Sequence, residues 1–161
     1  MILYGRNGEE FSLLVIDYEF PDIVDDEWDS NWLLIETKAK LEGKSWAIID
    51  PCLLTWEVLW LVNWLEAISY GDLSIDEVNF LEPNLHFRLE GHKNKQIVIR
   101  VFFELENKPK WLEATGEDEV FIDLNLSPEK IYAWVNELKK QRHKFPPRAG
   151  VGTQRDIRKE G

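Results

Sequence analysis

Between Pro21 and Glu36 the sequence reads PDIVDDEWDSNWLLIE, with Asp22, Asp25, Asp26, Glu27 and Asp29 gathered around Trp28. Carboxylates at this density do one of three things. They chelate a cation, exchange protons with a substrate, or face the basic surface of another macromolecule. Chelation by a calcium loop needs a fixed ligand spacing and a central glycine, and DDEWDS has neither. His86, His92 and His143 are scattered and Cys52 is the one cysteine, so no histidine or multi-cysteine metal motif is present. Neither a metal nor any other cofactor is expected. An acid/base pair would have to be assembled across strands from Asp50, Glu82, Glu104 or Glu106, as in hydrolases. No spacing selects such a pair, and the four read better as exposed strand carboxylates near Arg88 and Arg100. G-x-S-x-G, H-E-x-x-H and P-loop patterns do not occur, so no catalytic residue is assigned and an enzyme is not expected.

That leaves recognition. Tryptophan anchors protein interfaces more often than most side chains, and carboxylates beside it suit a basic partner. Asp22, Asp25, Asp26, Glu27, Trp28 and Asp29 are therefore the candidate contact residues. The rival reading makes DDEWDSNW a structural turn, with Asp29 or Asn31 bonding its own backbone and Trp28 folded inward.

These residues must be positioned by strands. MILYGRNGEEFSLLVIDYEF reads as two strands around the turn pair Asn7-Gly8. NWLLIETKAKLEGKSWAIID repeats the arrangement, with Trp32 to Leu41, a turn at Gly43, then Ser45 to Asp50. EVNFLEP, LHFRLEG, QIVIRVFFELE and EVFIDLNL are short, partly alternating and rich in β-branched and aromatic residues. Two helices interrupt the eight strands. In LLTWEVLWLVNWLEAIS, Thr55 is the expected N-cap, and Trp56, Trp60 and Trp64 recur every four residues along one side. Its polar residues share no face, which predicts a helix covered nearly all round or one leaving an apolar strip for a partner. SPEKIYAWVNELKKQRHK opens with Ser127 as N-cap and Pro128 in the first turn. It carries a one-sided stripe of Ile131, Trp134, Val135 and Leu138, with basic residues at its negative end. Of the tryptophans, Trp32, Trp46, Trp60 and Trp134 are assigned to the core and Trp28 to a partly exposed loop. The class is α+β, mainly antiparallel sheet with two helices packed on it, in the order ββββ-α-ββββ-α.

A chain of 161 residues with 44% hydrophobic content has the size of one domain. Residues 1–145 are expected to form it, and 146–161, with two prolines, glycines and no apolar period, to be a flexible basic tail. Charge is divided unevenly: residues 1–138 carry 11 Lys/Arg against 28 Asp/Glu, a net of −17, and residues 139–161 carry a net of +6. A body so acidic disfavours direct nucleic-acid binding and favours basic partners. A single cysteine fits a reducing compartment. No secretion signal and no apolar run of membrane-spanning length is present, so a cytoplasmic location is expected. Oligomeric state is not set by any of these features.

Taken in order, NGEEFSL, YEFPDIVDDEWDSNWLLI, DPCLLTWEVLWLVNWL, FLEPNLHF, IRVFFELE and KFPPR resemble the WapI family of immunity proteins over about residues 1–148. The resemblance implies a small cytosolic bacterial protein that binds and neutralises the C-terminal domain of a cognate polymorphic toxin without doing chemistry. In the family's namesake system that toxin is a nuclease acting on tRNA. A basic nuclease would complement an acidic body. The alternative from the residues alone is a small carboxylate-using hydrolase or ligand-binding domain, recognisable by a deep pocket holding two carboxyls with displaced pKa values.

Overall fold

A computed structural model describes residues 1–113 and 119–149. The first sheet comprises β1 (Leu3–Tyr4), β2 (Glu10–Tyr18), β3 (Trp32–Leu41) and β4 (Lys44–Leu54). Helix α1 (Thr55–Ser69) leads to the second sheet of β5 (Glu77–Val78), β6 (Leu85–Lys93), β7 (Gln96–Phe103) and β8 (Val120–Leu126). A one-turn helix, α2 (Lys110–Glu113), precedes β8, and α3 (Pro128–Lys144) follows it. The fold is α+β in the expected order, and α2 is the helix that the sequence did not announce. Both sheets are antiparallel meanders in which every strand pairs with its sequence neighbour.

Side-chain alternation accounts for the strands. In β8, Val120, Ile122, Leu124 and Leu126 point inward while Phe121, Asp123 and Asn125 point outward, the period-2 pattern of a sheet with one face on the core. The two-residue loops Glu42-Gly43 and Asn94-Lys95 both have positive φ at both positions, the conformation that joins right-twisted antiparallel strands without splaying them. EVNFLEP contributes only the two residues of β5, because bends at Leu81 and Glu82 and a turn at Pro83 follow.

Phe11 of β2 sits where the layers meet. Its ring makes edge contacts with Phe87 of β6 at 5.9 Å, Phe103 of β7 at 6.1 Å and Trp134 of α3 at 6.1 Å. One hydrophobic cluster thus draws on both sheets and both long helices. The edges also approach closely, since a Cβ on Gly5 would stand 2.2 Å from the Asp123 carbonyl oxygen of β8. Only a glycine fits there.

Helix α3 starts as its sequence indicates, with Ser127 Oγ accepting the Lys130 N–H at 3.1 Å and Pro128 at N1. Its buried Gln141 reaches β2, where Oε1 accepts the Val15 N–H at 2.8 Å. This occurs beside the irregular register between Val15 and Asp17, so the helix supplies a partner that the sheet lacks there. Helix α1 corrects the expected cap. Leu54 is the N-cap and Thr55 is already helical, because the Glu57 carboxylate accepts the Leu54 N–H at 2.9 Å and the Thr55 hydroxyl is given to Asn31 Oδ1 at 2.8 Å. The tryptophan assignments also change. Trp134 is buried as expected and Trp46 packs partly against the core, but Trp32 and Trp60 are only half-buried, while Trp56 and Trp64 are buried. Cys52 is buried too, and burial pushes its thiol pKa up.

Of the stretch 146–161, residues 146–149 are described and 150–161 lie outside the described residues. Where it is described, Arg148 is densely bonded. Its backbone N–H and carbonyl meet the Asn31 side chain at 2.9 and 3.0 Å. Its guanidinium donates to the carbonyls of Ser30, Pro21 and Phe20 at 2.8, 2.9 and 3.0 Å and lies 3.6 Å over the Tyr18 ring.

Candidate protein-binding surface

The six candidate contact residues share the connection between β2 and β3, and all six are exposed. Their loop is held from within. Asp26 Oδ1 accepts the N–H groups of Trp28 and Asp29 at 2.8 and 2.7 Å, and the Asp26 N–H donates to Ser30 Oγ at 2.9 Å. An aspartate capping the amides two and three residues ahead is a self-contained turn. Asn31, fully buried, ties this turn to the rest of the molecule. Its Nδ2 donates to the Glu27 carbonyl at 2.8 Å, and its own carbonyl accepts the Thr55 N–H at 3.0 Å. The turn expected at Asp29 or Asn31 is therefore built by Asp26 and Asn31. Trp28 does not fold inward: it remains 42% exposed, with its edge on Trp56 at 5.5 Å.

Trp28 stands at the head of a groove of about 1250 Å³. Helix α1 forms one wall with the indoles of Trp56, Trp60 and Trp64, and the segment of residues 72–81, regular only in β5, forms the other. Spacing by four residues put the three indoles on one side of the helix. Two hydrogen bonds hold the opposite wall in place. Trp64 Nε1 donates to the Ile75 carbonyl at 2.9 Å, and Glu57 Oε1 accepts the Leu81 N–H at 2.6 Å. Glu57 is fully buried, and that burial pushes its pKa up to about 7 even though its two backbone N–H bonds favour the charged form. Of the wall opposite α1, EVNFLEP was read as a strand and holds β5, whereas residues 72–76 were left unassigned because they have neither helical nor strand period.

The carboxylates considered for acid/base work lie elsewhere. Buried Asn84 donates Nδ2 to Asp50 at 3.1 Å and to Glu106 at 2.9 Å. The Asp50 pKa is raised by burial first, then by Glu106 and Glu82. Glu82 and Glu106 are exposed, Glu104 pairs with Lys108 at 3.5 Å, and none of the four lines the groove. Arg88 and Arg100 are engaged with other acids: Arg88 with Glu90 at 2.5 Å, and Arg100 with both oxygens of Asp123 at 2.7 and 2.9 Å. His86 stacks on Phe102 at 4.1 Å, and burial lowers its pKa. Among the described residues no group of three or more His, Cys, Asp or Glu is placed to hold a metal ion, and no helix is long and apolar enough to cross a membrane.

A family model described as the immunity protein WapI-like family matches residues 1–146. No curated protein and no solved structure matches the chain.

Proposed function

The chain belongs to the WapI-like immunity protein family, and from that premise we propose that it neutralises the C-terminal domain of a cognate toxin, a basic nuclease, by occupying the surface with which that toxin works. The observation that carries this reading is the β2–β3 loop, where Asp22, Asp25, Asp26, Glu27 and Asp29 stand exposed around a part-exposed Trp28 on a backbone tied down by Asp26, Asn31 and Arg148. A surface that is already ordered loses little entropy on binding. An acidic body of net −17 over residues 1–138 speeds encounter with a basic face and repels acidic partners. Neutralisation of this kind needs occupation and no chemistry. Asp50, Glu82, Glu104 and Glu106 lie outside the groove, and of the carboxylates within it Glu57 is spent on two backbone N–H groups and Asp72 on Ser74, so no pair of acids converges there as a hydrolase would need. The protein acts in the cytoplasm, touches no nucleic acid itself and takes no cofactor.

Calorimetry against the cognate toxin domain tests the reading. A nanomolar Kd, equivalent to about 12 kcal/mol, is expected, whereas affinity weaker than about 100 µM rejects it.

A further inference from the structure

We propose that the groove along α1 is a docking site for an arginine-bearing segment of a basic partner protein. Four of the molecule's exposed large apolar side chains border it: Trp28, Tyr70, Ile75 and Leu81. Exposed apolar side chains grouped in this way mark interaction sites, whereas scattered ones do not. Among the described residues the lining also includes the carboxylates of Glu57, Glu66, Asp72 and Glu77, with no lysine, arginine or histidine.

These acids have different duties. Glu57 is spent on two backbone amides, and Glu66 is met by Lys139 at 2.6 Å. Asp72 and Glu77 are exposed at the rim, where each uses one oxygen locally: Asp72 Oδ1 accepts from the Ser74 N–H and hydroxyl, and Glu77 Oε1 accepts from Asn79 Nδ2. Trp56 and Trp64 are buried, so the indoles that an incoming side chain can reach are part-exposed Trp28 and half-buried Trp60. Such indoles, in a groove with rim carboxylates, suit one side chain above others. A guanidinium is planar and weakly hydrated, so it stacks on an aromatic face while its fork pairs with a carboxylate; a lysine ammonium matches only the charge. The groove is preformed, since the bonds from Trp64 and Glu57 fix its second wall. An incoming segment therefore meets a shape that need not be assembled. This inference rests on the immunity reading only for the partner's identity as a toxin.

The test titrates the full chain with a capped peptide of alternating arginine and leucine, and with its lysine counterpart, following the indole N–H signals by NMR. The arginine peptide binds about tenfold more tightly than the lysine peptide, as expected for stacking on indole. Trp60→Ala removes that preference, and Glu77→Gln, at an exposed position, weakens arginine binding about threefold. Should Trp60→Ala not fold, Ile75→Ala and Glu77→Gln carry the test. Equal affinity for both peptides, or arginine binding untouched by these changes, overturns the proposal. Arginine binding seen only after Arg155, Arg158 and Lys159 are all changed to Gln also overturns it, by giving the groove to the chain's own C-terminal residues. Self-association abolished by Trp60→Ala overturns it in favour of a second copy. A toxin neutralised equally by Trp60→Ala leaves the immunity reading standing and sinks the groove. A toxin that does not bind while the arginine preference holds sinks the immunity reading alone.

Discussion

Arg148→Ala removes a side chain that fastens the acidic loop, and its cost can be worked from the contacts. The guanidinium gives three hydrogen bonds to the carbonyls of Phe20, Pro21 and Ser30 and stacks 3.6 Å over Tyr18. At a partly exposed position each bond contributes about 1 kcal/mol net, and the stacked ring adds about 0.5–1 kcal/mol. Fixing the long side chain costs the folded parent about 1–2 kcal/mol of rotamer entropy that the alanine variant does not lose, which offsets part of this. The net loss is about 2 kcal/mol, or a fall in Tm of roughly 4–8 °C for a domain of this size. Arg148→Lys retains the charge without the fork and recovers less than half. Thermal melts of the three proteins measure the loss. Hydrogen exchange at the Trp28 and Asp29 amides shows whether it is concentrated in the loop. An Arg148→Ala protein that melts within about 1 °C of the parent, with those amides equally protected, refutes the reasoning.

Three further outcomes are expected. Burial raises the Glu57 pKa from 4.5 to about 7, so below about pH 4.5 the side chain is protonated in both states. Between there and about pH 7 only the unfolded chain ionises it, and stability falls by up to about 3 kcal/mol as pH rises; denaturation across this range should show a clearly smaller drift in Glu57→Gln than in the parent, the remainder coming from raised carboxyls such as Asp50. Trp28→Ala should melt near the parent yet raise the toxin off-rate about thirtyfold, while Asp25→Lys with Glu27→Lys should slow association and blunt its salt dependence, both read by rapid-mixing kinetics at two ionic strengths. Lys95 holds φ at 62° in the β6–β7 turn, so Lys95→Gly, which restores the preferred Asn-Gly pair, should raise stability by about 0.5–1 kcal/mol in urea denaturation.

Strands and helices were legible because each carries its own period. The alternation of β8 and the stripe of α3 are local facts. What escaped the sequence is long-range. Thr55 has the chemistry of an N-cap, but buried Asn31, 24 residues away, takes its hydroxyl. Trp60 fits a core pattern, yet it lines the groove together with a segment that is regular only over the two residues of β5. Arg148 sits in a run of prolines and polar residues that reads as solvated, and its value comes from three carbonyls more than 100 positions earlier. The clustering and exposure of the loop acids were legible because they are visible in one line. That Asp26 serves as the turn's acceptor was not, so charge reversal there mixes folding with recognition and is better avoided.

The sequential pairing of the strands has a consequence for biosynthesis. Each meander closes through neighbours in the chain, so its hydrogen bonds can form soon after its residues leave the ribosome, at small loop-closure cost. The inner faces cannot be sealed on that schedule, because Trp134 and the rest of α3 are translated after both sheets and pack against α1 and Phe11. Arg148 comes later still. The nascent protein therefore passes through a stage with two paired sheets and an open apolar interior, the kind of species that chaperones shield. The acidic loop among the earliest residues made reaches its final shape only when one of the later ones arrives.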